Sequence, residues 1–264
     1  MNKKALFFDI DGTLITHGVP IEKSTIEALK QVKENGHSIF ICTGRSRSMV
    51  LDEFIDSVGF DGVIAACGTY CEYQKEILFN TELTRNETDF IMDILQKYDV
   101  TYIFEGKEYL YYNNVEMENT NQQYIIEMVK SEIKERLLKV EEVNGNIVAN
   151  KFSCYINSGE EEVVYEEFSK LYSTMRHRKN AAEFVPVGYH KATGIQKMCE
   201  YLKILQEDTF AFGDSVNDIE MLDYCQVGVV MGNGTAIAKE HADYITTDID
   251  KDGIYQACKH FKLF

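Results

Sequence analysis

The apolar run Ala5-Leu6-Phe7-Phe8 is followed at once by Asp9-Ile10-Asp11-Gly12-Thr13-Leu14. Two carboxylates spaced two residues apart, at the end of what reads as a buried strand and ahead of a glycine that turns the chain, suit phosphoryl transfer. In open α/β sheets ligands collect beyond the carboxyl ends of the strands, which is where Asp9 falls. Neighbouring side chains alternate across a strand, but Gly12 gives the backbone freedom to curl until Asp9 and Asp11 converge on one ligand. A carboxylate can attack phosphorus and become an aspartyl-phosphate, and a second carboxyl group beside it can pass a proton to the leaving group. Asp9 is thus expected to attack, and Asp11 to act as acid and then as base. The plainer reading is that both acids cap a turn or helix start. That requires four fixed residue types, each at ~5% usage, to coincide, which chance supplies about once per hundred thousand windows.

With Asp, Asp, Gly and Thr in these places, the hexapeptide resembles the first motif of the haloacid dehalogenase superfamily of phosphatases. The resemblance implies three further motifs in order. Thr43, in Thr43-Gly44-Arg45 after the strand-like run His37–Cys42, is similar to the second. Its hydroxyl would hydrogen-bond a phosphate oxygen, and neighbouring N–H groups at a helix start would add donors. Arg45 reads equally as an anion partner or as a solvated helix-start arginine. Lys191, in Gly188-Tyr189-His190-Lys191-Ala192-Thr193-Gly194-Ile195, resembles the third motif, a lysine ahead of a helix, where an ammonium offsets the negative charge of nucleophile and phosphate. His190 reads as a loop histidine.

The fourth motif is matched by Gly213-Asp214-Ser215-Val216-Asn217-Asp218 after the apolar run Thr209–Phe212. Mg²⁺ prefers oxygen ligands and is usually held by one or two carboxylates plus a substrate phosphate. By the resemblance, Asp9, Asp214 and the main-chain carbonyl of Asp11 would hold it. Asn217 and Asp218 would support the site, with Asp218 orienting a bound water or Lys191. The acid at position 11 resembles phosphatases and phosphomutases. The ion-pumping ATPases of the superfamily carry Thr there, and its dehalogenases lack the acid.

The implied activity is Mg²⁺-dependent hydrolysis of a small phosphate monoester, a sugar phosphate or similar metabolite. A phosphomutase would keep the same motifs and return the phosphoryl group to a hydroxyl. A binding protein that kept the fold without turnover is the third reading.

These residues need elements to carry them. Strand-like and helix-like runs alternate up to about residue 82 and again from about residue 188, which signals an α/β, doubly wound parallel sheet. Helices are expected from the capping-box pattern Ser24-Thr25-Ile26-Glu27, over 46–58, and over 195–205, with a strand over 62–66. Between them lies a segment of mixed order: a helix around 87–98, strands near 100–104 and 109–113, a charged helix within 115–138, a strand over 150–156 and a helix around 160–171. The expected division is a Rossmann-like core from 1–82 and 188–264 with an inserted α+β cap over 83–187. An insert of this kind resembles the large cap of the Cof-type subfamily, as do Met231-Gly232-Asn233-Gly234-Thr235 and Ala242-Asp243-Tyr244-Ile245-Thr246 near the end. Such a cap would close over the site and read the leaving group. Its aromatics Tyr102, Phe104, Tyr109, Tyr111 and Tyr112 read either as core or as lining. The subfamily's usual Asn-Gly-Ala after the third strand is replaced by Cys67-Gly68-Thr69.

Composition sets bounds. The 264 residues are 45% hydrophobic, enough for a substantial core, and the formal net charge of -16 disfavours nucleic acid or an anionic membrane as partner. No apolar stretch reaches the ~20 residues of a membrane span. Seven cysteines, an odd number without a signal-like start, fit reduced thiols and a cytoplasmic location. Only Cys67 and Cys71 lie close together, and they lack the second pair of a structural zinc site. The expected partner is a small phosphate ester; the sequence leaves oligomeric state open.

Overall fold

Strand β1 (Ala5–Phe8) is buried along its whole length, because its residues face neighbours on both sides of a sheet and helices above and below. The computed structural model describes residues 3–16, 19–113, 134–156 and 159–264. They divide into two compact units, Met1–Gly44 with Asp52–Phe79 and His190–Phe264, and Arg45–Leu51 with Asn80–Tyr189.

In the first unit, β1 lies parallel between β2 (Ser38–Cys42) and β12 (Thr209–Gly213), with Phe8 in register with both Ile41 and Phe212. The sheet has eight strands. On one side β3 (Gly62–Ala65), β4 (Tyr70–Tyr73) and β5 (Glu76–Asn80) follow β2, and on the other β13 (Val227–Val230) and β14 (Tyr244–Ile245) follow β12. All pairings from β14 across to β3 are parallel, and β4 runs antiparallel to β3. This is the doubly wound α/β sheet.

Alternate residues serve opposite faces. Ala5, Phe7, Phe40, Cys42, Ile64 and Ala211 pack with Ile195, Met198 and Cys199 of α5 (Lys191–Leu202) and Met221 and Leu222 of α6 (Ile219–Tyr224). On the other face Phe8 stacks on Phe212 at 4.4 Å, and Phe210 meets Phe261 at the end of α8 (Gly253–His260). Helix α1 (Lys23–Glu34) packs beside α8.

The second unit has a six-stranded sheet in the order β10 (Tyr172–Arg178), β11 (Ala181–Pro186), β9 (Lys151–Tyr155), β6 (Thr101–Glu105), β7 (Leu110–Tyr112), β8 (Leu137–Lys139). All its pairs are antiparallel except β7 with β8. Helices α3 (Arg85–Lys97) and α4 (Glu161–Phe168) join an aromatic core centred on Phe152, whose ring lies 4.8 to 5.9 Å from those of Phe184, Phe168, Tyr172 and Phe104. Tyr102, Phe104 and Tyr111 belong to this core, so they do not line a ligand surface. Tyr109 is exposed, and Tyr112 packs with Ile103 and Leu110.

Several expectations are corrected. No capping box opens α1, whose N-cap is Glu22; Ser24 sits inside the first turn, where its hydroxyl cannot cap, and that oxygen is buried without a partner. The helix expected over 46–58 is a 3₁₀ turn, Arg47–Met49, followed by α2 (Asp52–Val58). The break arises because Met49 and Leu51 pack on Ile103 and Leu110 of the second unit, pulling the segment off a helical path. Strand β3 stops at Ala65, because Ala66 turns left-handed. The charged helix within 115–138 lies mostly outside the described residues, and its last part is instead a 3₁₀ turn (Lys134–Arg136) and β8. The periodic pattern of α5 begins at Lys191, so this lysine is the first residue of the helix and does not precede it.

Candidate active site

Asp9 is the first residue past β1, and its N–H donates to the Phe212 carbonyl at 2.9 Å, which continues the parallel ladder one step beyond the strand. This register sets Asp9 beside the end of β12, where Asp214 follows Gly213. Lys191 reaches the same place from the start of α5. Its Nζ donates to Asp9 Oδ1 at 2.6 Å and to Asp218 Oδ1 at 2.5 Å. All three side chains of this bridge are buried, with Lys191 only 1% exposed. A lysine at a helix N-terminus adds its charge to the positive end of the helix dipole, an unfavourable place unless anions face it. Here they do.

Asp218 is a fixed support. Its Oδ2 accepts from the N–H groups of Asp214 and Ser215 at 2.9 and 3.0 Å, while Oδ1 holds the ammonium. Both oxygens are thereby engaged. Asn217 lies on the same turn, its Oδ1 accepting from Ser215 Oγ at 2.6 Å.

The turn after Asp9 is tight. The N–H groups of Leu14 and Ile15 both donate to the Ile10 carbonyl at 2.9 Å, and Gly12 takes a φ of +88°. A Cβ at Gly12 would stand 2.6 Å from Asp214 Cγ, so only glycine permits both the turn and this approach. Asp11 sits on the exposed side of the turn.

Two residues that the sequence reading left without a role brace it. Thr13 donates to Asp214 Oδ1 at 3.5 Å, at the limit of a hydrogen bond. Asn233 donates to the Gly12 carbonyl at 2.8 Å and accepts from Ile249 N–H at 2.9 Å. Its place between two glycines just after a core strand was the available signal.

Thr43 and Gly44 follow β2, with Thr43 buried and its N–H donating to the Ile64 carbonyl at 2.9 Å. Arg45 begins the segment that belongs to the second unit.

Charge is unbalanced at the cluster. Burial pushes Asp9 up to about 8, with Lys191 opposing and Asp218 and Asp214 adding to the rise. Burial and the nearby Asp218 push Asp214 up to about 7. Burial opposes the charge of Lys191, but Asp218 and Asp9 outweigh it and raise its pKa well above the usual lysine value. Asp9, Asp214 and Asp218 offer oxygens within 4.8 Å of one another. With Asp218 consumed by its amides and Lys191, the buried Asp9 and the half-buried Asp214 are two carboxylates short of positive charge, which fits a hard divalent cation.

Residues 6–258 match the haloacid dehalogenase-like hydrolase family. The chain is 27% identical to the 5-amino-6-(5-phospho-D-ribitylamino)uracil phosphatase YitU of Bacillus subtilis (strain 168), over 96% of this chain and 95% of that protein. Among solved structures, it is similar to the subclass IIB sugar phosphatase BT4131, with a TM-score of 0.82, 32% identity, and coverage of 99% of this chain and 100% of that one. It is also similar to BT1666 of Bacteroides thetaiotaomicron, a phosphatase of the haloalkanoate enzyme superfamily, with a TM-score of 0.85, 29% identity, and coverage of 99% and 96%. A family match across nearly the whole chain, on a fold that gathers Asp9, Lys191, Asp214 and Asp218 at the strand ends, makes this chain a member of the haloacid dehalogenase-like hydrolases.

Proposed function

We propose that this protein is a Mg²⁺-dependent phosphatase that hydrolyses a small-molecule phosphate monoester, such as a sugar phosphate, through an aspartyl-phosphate at Asp9. The observation that carries the reading is the buried Asp9 carboxylate, held at 2.6 Å by Lys191 beside Asp214. Relatives that act on a phosphoribityl compound and on sugar phosphates support a small phosphate ester as substrate.

Asp9, Asp214 and the main-chain carbonyl of Asp11 would hold the cation. When bound, it supplies positive charge that draws the phosphate in and stabilises charge on the phosphoryl oxygens. Lys191 opposes protonation of Asp9 and, with Thr43 and the amide of Gly44, receives the remaining phosphoryl oxygens; Arg45 is a further candidate for that anion. An Asp9 oxygen attacks phosphorus as the ester oxygen departs, and Asp11 gives that oxygen its proton. Asp11, now a carboxylate, then takes a proton from water, which attacks the aspartyl-phosphate and releases inorganic phosphate with Asp9 restored. Asp218 and Asn217 hold the supporting turn. The exposed position of Asp11 beside the buried Asp9 supports this division, because the proton donor must reach a leaving group that comes and goes with solvent.

The test is phosphate release from a panel of monoesters with Mg²⁺, with EDTA, and with Asp9→Asn. Release that disappears in both controls is the expected result. A folded protein whose release equals that of Asp9→Asn overturns the reading. Transfer to a second hydroxyl without free phosphate would identify a mutase.

A further inference from the structure

Lys191 has little slack. Two bonds of 2.5 and 2.6 Å fix its ammonium in a site closed to solvent, so the main chain that carries it must itself be fixed. The first turn of α5 is braced by an unusual piece of backbone. Ala66, Cys67 and Gly68 take φ values of 48°, 53° and 87°, three consecutive residues in the left-handed region. For alanine and cysteine this conformation is unfavourable and persists only where the surroundings impose it. Here the loop is pinned at both ends. Cys67 N–H donates to the Thr43 carbonyl at 3.2 Å, and Thr69 donates to the Ala66 carbonyl from its N–H at 3.2 Å and its hydroxyl at 2.9 Å.

The strained path sets Gly68 directly against α5. A Cβ at Gly68 would overlap the His190 carbonyl and stand 3.1 Å from Gly194 N, while a Cβ at Gly194 would stand 3.1 Å from Gly68 Cα and overlap the Ile64 side chain. The two glycines therefore meet backbone to backbone. Around them, the Cys42 thiol donates to the Lys191 carbonyl at 3.8 Å and the Cys71 thiol to the Gly194 carbonyl at 3.6 Å. One short loop thus touches both the backbone that carries Thr43 and the helix turn that carries Lys191.

We infer that the left-handed run Ala66–Gly68 and Gly194 form a backbone spacer that sets Lys191 and Thr43 against Asp9, with Gly68 and Gly194 as positioning residues. The inference rests on the proposed roles of Lys191 and Thr43. A methyl group at either glycine would push the first turn of α5 off the Ala66–Gly68 loop and displace Lys191 relative to Asp9. The effect falls mainly on turnover, where the placement of nucleophile and ammonium counts most.

The experiment is steady-state hydrolysis of p-nitrophenyl phosphate with Mg²⁺ by Gly68→Ala and Gly194→Ala, with crystal structures of wild type and each variant. Misplacement of a group in the reacting constellation is expected to lower kcat about ten- to hundredfold. KM should change by less than about threefold, the signature of an interaction made in the transition state. In the crystals the Lys191–Asp9 contact should lengthen by about 0.5 Å or more. A folded variant with wild-type kcat and an unmoved Lys191 overturns the inference. Should neither glycine variant fold, Cys71→Ala loosens the same contact more gently; it is expected to lower kcat about two- to fivefold at unchanged KM, and wild-type kcat there overturns the inference instead. If wild-type protein shows no turnover, the phosphatase reading fails, and the position of Lys191 in the crystals alone decides the spacer.

Discussion

Lys191 is one ammonium serving two buried carboxylates, Asp9 and Asp218. Replacing it by methionine of similar length leaves both acids without their partner. Breaking a buried ion pair in this way costs about 3–5 kcal/mol, to be read from denaturant unfolding. Turnover should fall about a hundred- to a thousandfold, the scale of losing one preorganised electrostatic group. The carboxylates also make a pH prediction. Asp9 at about 8 and Asp214 at about 7 stand above their unfolded value of 3.8, so the folded metal-free protein keeps protons that the unfolded chain has released. Stability contributed by these groups is fully present below the unfolded value and is lost as pH rises through 7 to 8. Thermal melts in EDTA should therefore show Tm falling between pH 6 and pH 8. Mg²⁺ binds the deprotonated acids, so it should raise Tm more at pH 8 than at pH 6; an equal shift at both would contradict the assignment. The clustering of Asp9, Lys191, Asp214 and Asp218 was legible in the sequence because each lies in a run whose residue types serve one chemistry. The bracing contacts of Thr13 and Asn233 were not, because a hydrogen bond across more than 200 residues cannot be read from the local pattern around either partner.

At the scale of elements, the turn at Gly12 is the most demanding piece of the site. Gly12→Ala must give up the φ of +88° or drive Asp214 aside. A cost of about 1–3 kcal/mol is expected, and hydrolysis should fall by about a hundredfold as Asp9, Asp11 and Asp214 lose their common geometry. Asn233→Ala tests the brace from the other side. It removes the donor to Gly12 and the acceptor for Ile249, and should lower stability by about 1–2 kcal/mol with a smaller loss of kcat than Gly12→Ala. A reversed order of the two would show that the turn holds itself. The core strands β1, β2 and β12 could be read directly, since fully apolar runs ending in Asp or Thr belong to buried parallel strands. The hairpin strands β10 and β11 were missed, because Tyr172–Arg178 is mostly polar and charged and Ala181–Pro186 is broken by Glu183, so neither carries a continuous apolar signal. Helix α2 was read too long because the pull of Met49 and Leu51 toward Ile103 and Leu110 is a tertiary effect that periodicity cannot show.

In the molecule as a whole, the seven cysteines are all buried and none forms a disulfide. Burial raises the thiols of Cys42, Cys71, Cys154, Cys199, Cys225 and Cys258, which keeps them in the unreactive protonated form. A thiol reagent should therefore titrate almost none in the native protein and all seven after denaturation; rapid labelling of the native protein would show that the core opens readily. Among the described residues, no helix is long and apolar enough to cross a membrane. The segment Arg45–Leu51, which belongs with the second unit, was largely hidden inside an apparent helix over 46–58. The strand order of the first unit carries a consequence for biosynthesis. Strand β1 is made about 200 residues before its partner on one side, β12, Ala5 pairing with Thr209. At roughly 5–20 residues per second of translation, the ribosome needs on the order of 10 to 40 s to supply that partner. Through this interval the apolar strand β1 has one uncovered edge, so the nascent chain depends on chaperones or on slow folding to stay out of aggregates, and the site at the ends of β1 and β12 cannot assemble before β12 is made.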